Sequence, residues 1–224
     1  MIVVIEGMDA SGKQTHSKLL ASSMGATRFS FPNYESATGR AILGHLKKEW
    51  QCFNRMQETP PGMDLPSCVP DDAEKHLNAL VFQALQTANR LEIMPEIMKA
   101  KAAGPIVFDR YWQSAVVYGV LDGLSPELAY RIQAGALPQA DANILIDIPV
   151  EEGFKRRPER RDRYEADADY LHKVRAGYLK LWGWYSDRSL GPDAERWLVV
   201  DGLGSIDEVR ERVARAVKLA VTNG

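Results

Sequence analysis

Cysteine is nearly absent, with only Cys52 and Cys68 in 224 residues. Two are too few for a disulfide framework and point to reduced thiols. Histidine is also scarce, at four residues. A zinc site drawn from His45, Cys52, Cys68 and His76 has none of the usual finger spacings, so free thiols and surface histidines are the simpler expectation. No Ser-His-Asp or Cys-His pattern for covalent catalysis is apparent. Long apolar runs are missing as well: nothing approaches the ~20 residues of a membrane span. Met1 leads directly into a strand-like run, which leaves no room for a signal peptide, and a cytoplasmic protein is expected. A net charge of −2 argues against general binding to nucleic acid or other polyanions, so any basic patch must be local. The Asn-Lys-x-Asp guanine motif of GTPase switches does not occur. With 45% hydrophobic and 26% charged residues, the chain reads as one globular domain over residues 1–224.

The residues present organise around one stretch. An apolar strand, Met1 to Ile5, runs into Gly7-Met8-Asp9-Ala10-Ser11-Gly12-Lys13-Gln14-Thr15 and then into a helix from Thr15 to Met24. Two glycines five apart let backbone N–H groups turn inward, and Lys13 adds positive charge where a helix N-terminus already attracts anions. A strand, glycine-bounded loop and helix in that order read as a phosphate-binding P-loop. The position after Lys13, usually Ser or Thr for Mg²⁺, is Gln14; Thr15 comes one residue late and points about 100° away around the helix.

Further elements follow at intervals. Ala26 to Phe31 reads as a strand ending at Phe31-Pro32-Asn33-Tyr34, where the proline stops the ladder and aims Tyr34 off the carboxyl edge. Residues 36–50 read as a helix with Ile42, Leu43 and Leu46 on one side, and residues 47–72 as a proline-rich surface insertion. Asp71 and Asp72 suit the cap of a helix running to about Lys101, with Leu77, Leu80, Leu85 and Leu91 as its core stripe and a kink at Pro95. On that helix Phe82, Gln86 and Arg90 stand at i, i+4 and i+8, either as core and solvated charge or as one wall of a pocket. Pro105 to Phe108 reads as a strand leading into Asp109-Arg110-Tyr111. An acid at a strand's carboxyl end suits Mg²⁺, and Arg110 suits a phosphate or an ion pair. A helix presenting Ser114 and Tyr118, another opened by Ser125-Pro126-Glu127, and a strand over 143–148 come next. Lys155, Arg156, Arg157, Arg160, Arg161 and Arg163 then fall in a segment, 153–165, that reads as a lid whose arginines close on a transferring phosphoryl group. An amphipathic helix to about Tyr185, a strand over Trp197 to Val200 and a helix opened by a Ser205 to Glu208 capping box end the chain.

Five strands alternating with helices predict a three-layer α/β P-loop kinase fold, a five-stranded parallel sheet flanked by helices. The P-loop, Phe31-Pro32-Asn33-Tyr34, Asp109-Arg110-Tyr111-Trp112-Gln113-Ser114 through Tyr118, and the arginine run into Asp162-Arg163-Tyr164-Glu165 occur in one order. In this combination the chain resembles the thymidylate kinase family. The resemblance implies phosphoryl transfer from ATP to dTMP with Mg²⁺ by a homodimer. It implies that Gly7 to Thr15 cradle ATP, that Lys13, Asp9, Arg110, Arg156, Arg160 and Arg163 are catalytic, with Arg157 and Arg161 close behind, that Asp9 also lies near the sugar hydroxyl of the substrate, and that Asp9 and Asp109 serve the metal. It places Tyr34 and Arg110 on the acceptor phosphate, Tyr118 against the sugar and Arg90 on the pyrimidine, with Phe31, Ser114 and Tyr164 in the same site. Gln86 stands where the family has a phenylalanine stacked on thymine, a role that Phe82, one turn earlier, is placed to take over. Kinases for another deoxynucleotide such as dUMP or a modified pyrimidine share these motifs. A non-catalytic nucleotide-binding adaptor and a polynucleotide kinase are the readings of other classes.

Overall fold

A computed structural model describes residues 1–47, 71–134, 137–157, 167–187 and 196–223. Along them run β1 (Ile2–Glu6), α1 (Lys13–Met24), β2 (Thr27–Ser30), α2 (Ala37–Leu46), α3 (Asp71–Glu92), α4 (Met94–Ala103) and β3 (Ile106–Asp109). They continue with α5 (Trp112–Leu121), α6 (Pro126–Ala134), β4 (Ala142–Asp147), α7 (Val150–Arg156), α8 (Ala168–Tyr185), β5 (Trp197–Asp201) and α9 (Ile206–Asn223). All strand pairs are parallel, in the order β2-β3-β1-β4-β5. This is the expected five-stranded three-layer arrangement.

β1 lies at the centre, and each of its residues is buried. Its side chains alternate between two layers, as the strand period requires. Ile2 and Val4 belong to a core with Ile97, Trp112, Val174 and Trp182, whereas Val3 and Ile5 join Leu20, Val209 and Val213 of α1 and α9. Register brings the carboxyl ends of the strands together: Ile5 lies opposite both Asp109 and Ile144, and Ser30 opposite Asp109. In such sheets the crossovers gather the ligand-binding loops at this edge.

Three readings of the sequence need correction. The long helix does not kink at Pro95 but breaks at Ile93, and α4 starts afresh with the proline in its first turn. There the missing N–H has no intrahelical partner to lose. The leucine stripe of α3 is not its buried face: Leu77, Leu80 and Leu85 are half-buried and Leu91 is 41% exposed. Ala79, Phe82, Gln83, Asn89 and Arg90 are the buried ones: Ala79 joins the core, Phe82, Gln83 and Arg90 border a cavity, and Asn89 binds the loop after β2. The segment read as a lid begins inside a helix, since residues 153–156 are the end of α7. Residues 48–70 of the insertion, with Cys52 and Cys68, and the lid residues 158–165 lie outside the described residues, as do the side chains of Asp71 and Asp72.

Helix ends follow their local chemistry. Ser36 caps α2 by accepting from the Gly39 N–H at 3.1 Å. The expected box at α9 is present, with Ser205 N donating to Glu208 Oε2 at 2.7 Å and Glu208 N to Ser205 Oγ at 3.3 Å.

Candidate active site

The loop between β1 and α1 is shaped by what its backbone allows. Gly7 has φ 153°, and a Cβ there would lie 2.6 Å from the Ile146 carbonyl oxygen, so no side chain fits. Gly12 caps α1 in the left-handed region at φ 94°, and Ala10 is held there too, at φ 64°. Lys13 opens the helix and folds back, its Nζ donating to Met8 O at 3.2 Å and to Asp9 Oδ1 at 2.9 Å. The same Asp9 oxygen accepts from Arg110 Nη2 at 2.6 Å. Burial alone would raise the Asp9 carboxyl, but Arg110 and Lys13 outweigh it and hold the group well below the usual carboxylate range. Burial, then the nearby Arg110 charge, push the Lys13 ammonium down from its ordinary value against the pull of Asp9. The neutral amine therefore gains ground as pH rises. Affinity for a phosphate ligand is expected to weaken through a midpoint below 10.5, and binding titrations from neutral pH upward check this; affinity flat to 10.5 would contradict it.

Two cavities flank this cluster. One, of about 910 Å³, is lined by Asp9, Ala10 and Gly12 to His16 of the P-loop together with Asp109, Arg156, Gly202 and Gly204 to Ile206. The other, of about 470 Å³, is lined by α2, α3 and α5 residues including Leu43, Phe82, Gln83, Gln86, Arg90, Ser114 and Tyr118. Asp9, Phe31, Pro32, Tyr34, Arg110 and Arg157 line both. A polar cavity on a P-loop and a more apolar one thus meet at an arginine.

Arg110 is aimed from several sides. It has φ 63°, in the left-handed region. Its Nη1 donates to Ser114 Oγ at 3.1 Å and to Tyr178 OH at 2.9 Å. Both hydroxyls also meet Glu6 Oε2, at 2.6 and 3.1 Å, while Glu6 Oε1 accepts from the N–H groups of Tyr111 and Ser114 at 2.8 and 3.2 Å. Glu6, fully buried at the end of β1, thereby caps α5 from a neighbouring strand. Burial and Glu6 push the Tyr178 phenol well up, so it stays a donor.

The family model for thymidylate kinase matches residues 5–213. The chain is 30% identical over 219 residues to a probable thymidylate kinase of Pyrococcus abyssi, covering 96% of this chain and 95% of that one. It is 29% identical to the thymidylate kinase of Caldanaerobacter subterraneus, covering 96% and 94%. Among solved structures, thymidylate kinase from Candida albicans superposes with a TM-score of 0.71 at 22% identity, covering 100% of this chain and 93% of the other. The enzyme from Ehrlichia chaffeensis gives 0.60 at 18%, covering 97% and 98%.

The chain belongs to the thymidylate kinase family. Its reaction is ATP-dependent phosphorylation of dTMP to dTDP. For a thymidylate kinase the expected residues are well gathered: Phe31, Tyr34, Phe82, Gln86, Arg90, Arg110, Ser114 and Tyr118 all line the smaller cavity. Arg90 is no solvated charge. It is 2% exposed, donates from Nη1 to Gln86 O at 2.7 Å and from Nη2 to Tyr111 O, and lies 5.4 Å from the Phe31 ring centroid. Burial lowers its guanidinium to about 10. Phe82 is stacked on His45 with centroids 4.3 Å apart.

Two expected roles meet competing partners. Asp109 is ion-paired with Arg28, which also donates to Ser17 Oγ at 2.9 Å. Arg156, read as a lid arginine, spans Glu152 Oε1, Gly202 O and Ser11 O at 3.1, 2.9 and 3.4 Å, and so ties α7 to the P-loop and to the turn after β5. Arg160, Arg163 and Tyr164 lie outside the described residues. The sequence reading missed Glu6, Tyr178 and Asn89. The last, fully buried, accepts from Asn33 N at 2.8 Å and donates to Ser36 Oγ at 2.9 Å and Thr38 Oγ1 at 3.0 Å, fixing the loop that carries Tyr34. The one available signal for Glu6 was an acidic residue closing an otherwise apolar strand.

Proposed function

We propose that ATP occupies the larger cavity and dTMP the smaller, with the transferring phosphoryl group passing the wall they share. The observation that carries this reading is Arg110, lining both cavities while bonded to Asp9. Phosphoryl transfer needs two phosphates held in line and cations that follow the charge. Lys13 and the P-loop N–H groups hold the donor phosphates. Arg110 and Tyr34 hold the acceptor phosphate, and Asp9, its charge fixed by two cations, keeps Lys13 and Arg110 a short distance apart. Tyr118, with Arg110 Cζ 5.9 Å from its ring centroid, covers the sugar, and Arg90 and Gln86 border the base. Arg156, Arg160 and Arg163 are the further cations for the transition state. Among the described residues no cluster of three metal-binding side chains occurs, which suits Mg²⁺: it is usually held by one or two carboxylates plus substrate phosphates and water. Asp9 and Asp109, both lining the larger cavity, are the carboxylates for it. Held there by Asp9 and Asp109, Mg²⁺ would supply positive charge against the negative charge that develops during transfer.

Exposed Val81, Leu91 and Met98 on α3 and α4 form the face for a homodimer. No described helix is long and apolar enough to cross a membrane, in keeping with action in the cytoplasm. The test is an ADP-release assay with ATP and Mg²⁺ over dTMP, dUMP, dCMP, dGMP, dAMP and UMP. Turnover greatest on dTMP is expected, and turnover of none would overturn the reading. Gln86→Phe restores an aromatic face worth about 1–3 kcal/mol in base stacking, and is expected to lower KM for dTMP at least about fivefold with kcat little changed.

A further inference from the structure

Gln83 sits in the wall of the smaller cavity, fully buried, and its Nε2 has no hydrogen-bond partner among the described residues. Buried amide donors are rarely left so, and one in a cavity wall points to a partner that arrives with the ligand. The orientation of this carboxamide is fixed by groups that allow no alternative. Gln133 Nε2 lies 3.0 Å from the Gln83 backbone carbonyl, which can only accept. On its other side Gln133 Oε1 receives Arg90 Nη1 at 3.5 Å, a group that can only donate. Gln133 therefore cannot flip. The same Nε2 donates to Gln83 Oε1 at 3.0 Å, so the oxygen of Gln83 must face Gln133 and its NH₂ must face away. That NH₂ rests against α5 at Gly119, where a Cβ would come within 3.3 Å of it and within 3.1 Å of the amide carbon. Gly119 follows Tyr118, which lines the same cavity.

We propose that Gln83 is a specificity-determining residue whose carboxamide NH₂ donates to a ring carbonyl of the pyrimidine. The proposal rests on the reading that the base of dTMP enters the smaller cavity, and adds to it a locked donor that favours an oxo group at the position it meets. An amino group at that position would set donor against donor, and the amide has no means of turning to accept. Gln133 is a positioning residue for this donor, and Arg90 fixes Gln133.

The experiment compares wild type and Gln83→Met on dTMP, 2-thio-dTMP and 4-thio-dTMP, since a thiocarbonyl is a poor acceptor. Met keeps the length of the side chain, and Gln133 Nε2 retains the backbone carbonyl at 3.0 Å, so the melting temperature is expected to change little. The expected result is a loss in kcat/KM of about tenfold on dTMP and on one thio analogue, with less than about twofold on the other. The analogue that is spared identifies the carbonyl. Equal losses on all three would mean that Gln83 only supports the fold, and no loss on any would mean no contact; either overturns the proposal. Should Gln83→Met fail to fold, Gly119→Ala sets a methyl against the carboxamide, and the same selective pattern is required of it. Wild-type turnover of dTMP is measured first, because its absence would overturn the assigned reaction, a failure distinct from uniform losses in the variant.

Discussion

Replacing Arg110 by methionine is expected to lower kcat/KM for dTMP by about 10³-fold, the range found when an arginine that stabilises a transferring phosphoryl group is lost. The geometry explains why the loss should be large. Arg110 lines both cavities, as Arg157 does, and its two Nη atoms already engage Asp9, Ser114 and Tyr178, so its fork is oriented before substrate arrives. Lysine should rescue poorly, because one ammonium cannot reproduce that forked set. Removing Arg110 also takes from Asp9 one of the two cations that hold its carboxyl down. Steady-state kinetics on Arg110→Met and Arg110→Lys check the prediction, and a Lys variant within tenfold of wild type would contradict it.

The second large effect concerns stability. Glu6→Val keeps the strand propensity of β1 but removes the acceptor of four donors. Two of these, Ser114 Oγ and Tyr178 OH, lie 2.9 Å apart, so one can donate to the other while the second rotates toward another acceptor. The N–H groups of Tyr111 and Ser114 cannot, and each buried orphan costs about 1–3 kcal/mol. A destabilisation of about 2–6 kcal/mol follows, or roughly 5–20 °C in melting temperature for a domain of this size. Thermal and urea unfolding of the variant measure it. A shift under about 2 °C would mean that water reaches the two N–H groups.

These two residues illustrate what could be read in the sequence. The P-loop was legible because glycine spacing, an apolar strand and a helix are local, and Asp109-Arg110 because the strand edge before it is local too. Helical spacing set Phe82, Gln86 and Arg90 in line but left core and pocket open, and it was the resemblance to the family that drew them, with Tyr34, Ser114 and Tyr118, into one expected site. Glu6 was illegible because its partners lie 105 and 108 positions away and only folding brings them near. The Gln83–Gln133 pair, 50 positions apart, is hidden for the same reason. The stripe of leucines on α3 misled because periodicity marks an apolar face, whereas the buried side of this helix borders a binding cavity and is stocked with amides and an arginine. Asp109 and Arg156 show a related limit: their types and positions were legible, but Arg28, Gly202 and Ser11 as their partners were not.

Tyr111 has its N–H held by Glu6 and its carbonyl by Arg90, so the peptide after Arg110 is fixed from β1 and α3 at once. This is the segment in which Arg110 adopts a left-handed backbone that a non-glycine residue ordinarily avoids. The consequence concerns descent. A lineage shifting toward another base by altering Arg90 would also disturb the backbone that aims Arg110, and is expected to lose turnover together with selectivity. Gln83 and Gln86 carry no such second duty toward Tyr111. Substitution at 83 or 86 is therefore expected to change the pocket without moving the Tyr111 peptide, whereas substitution of Arg90 is expected to disturb both.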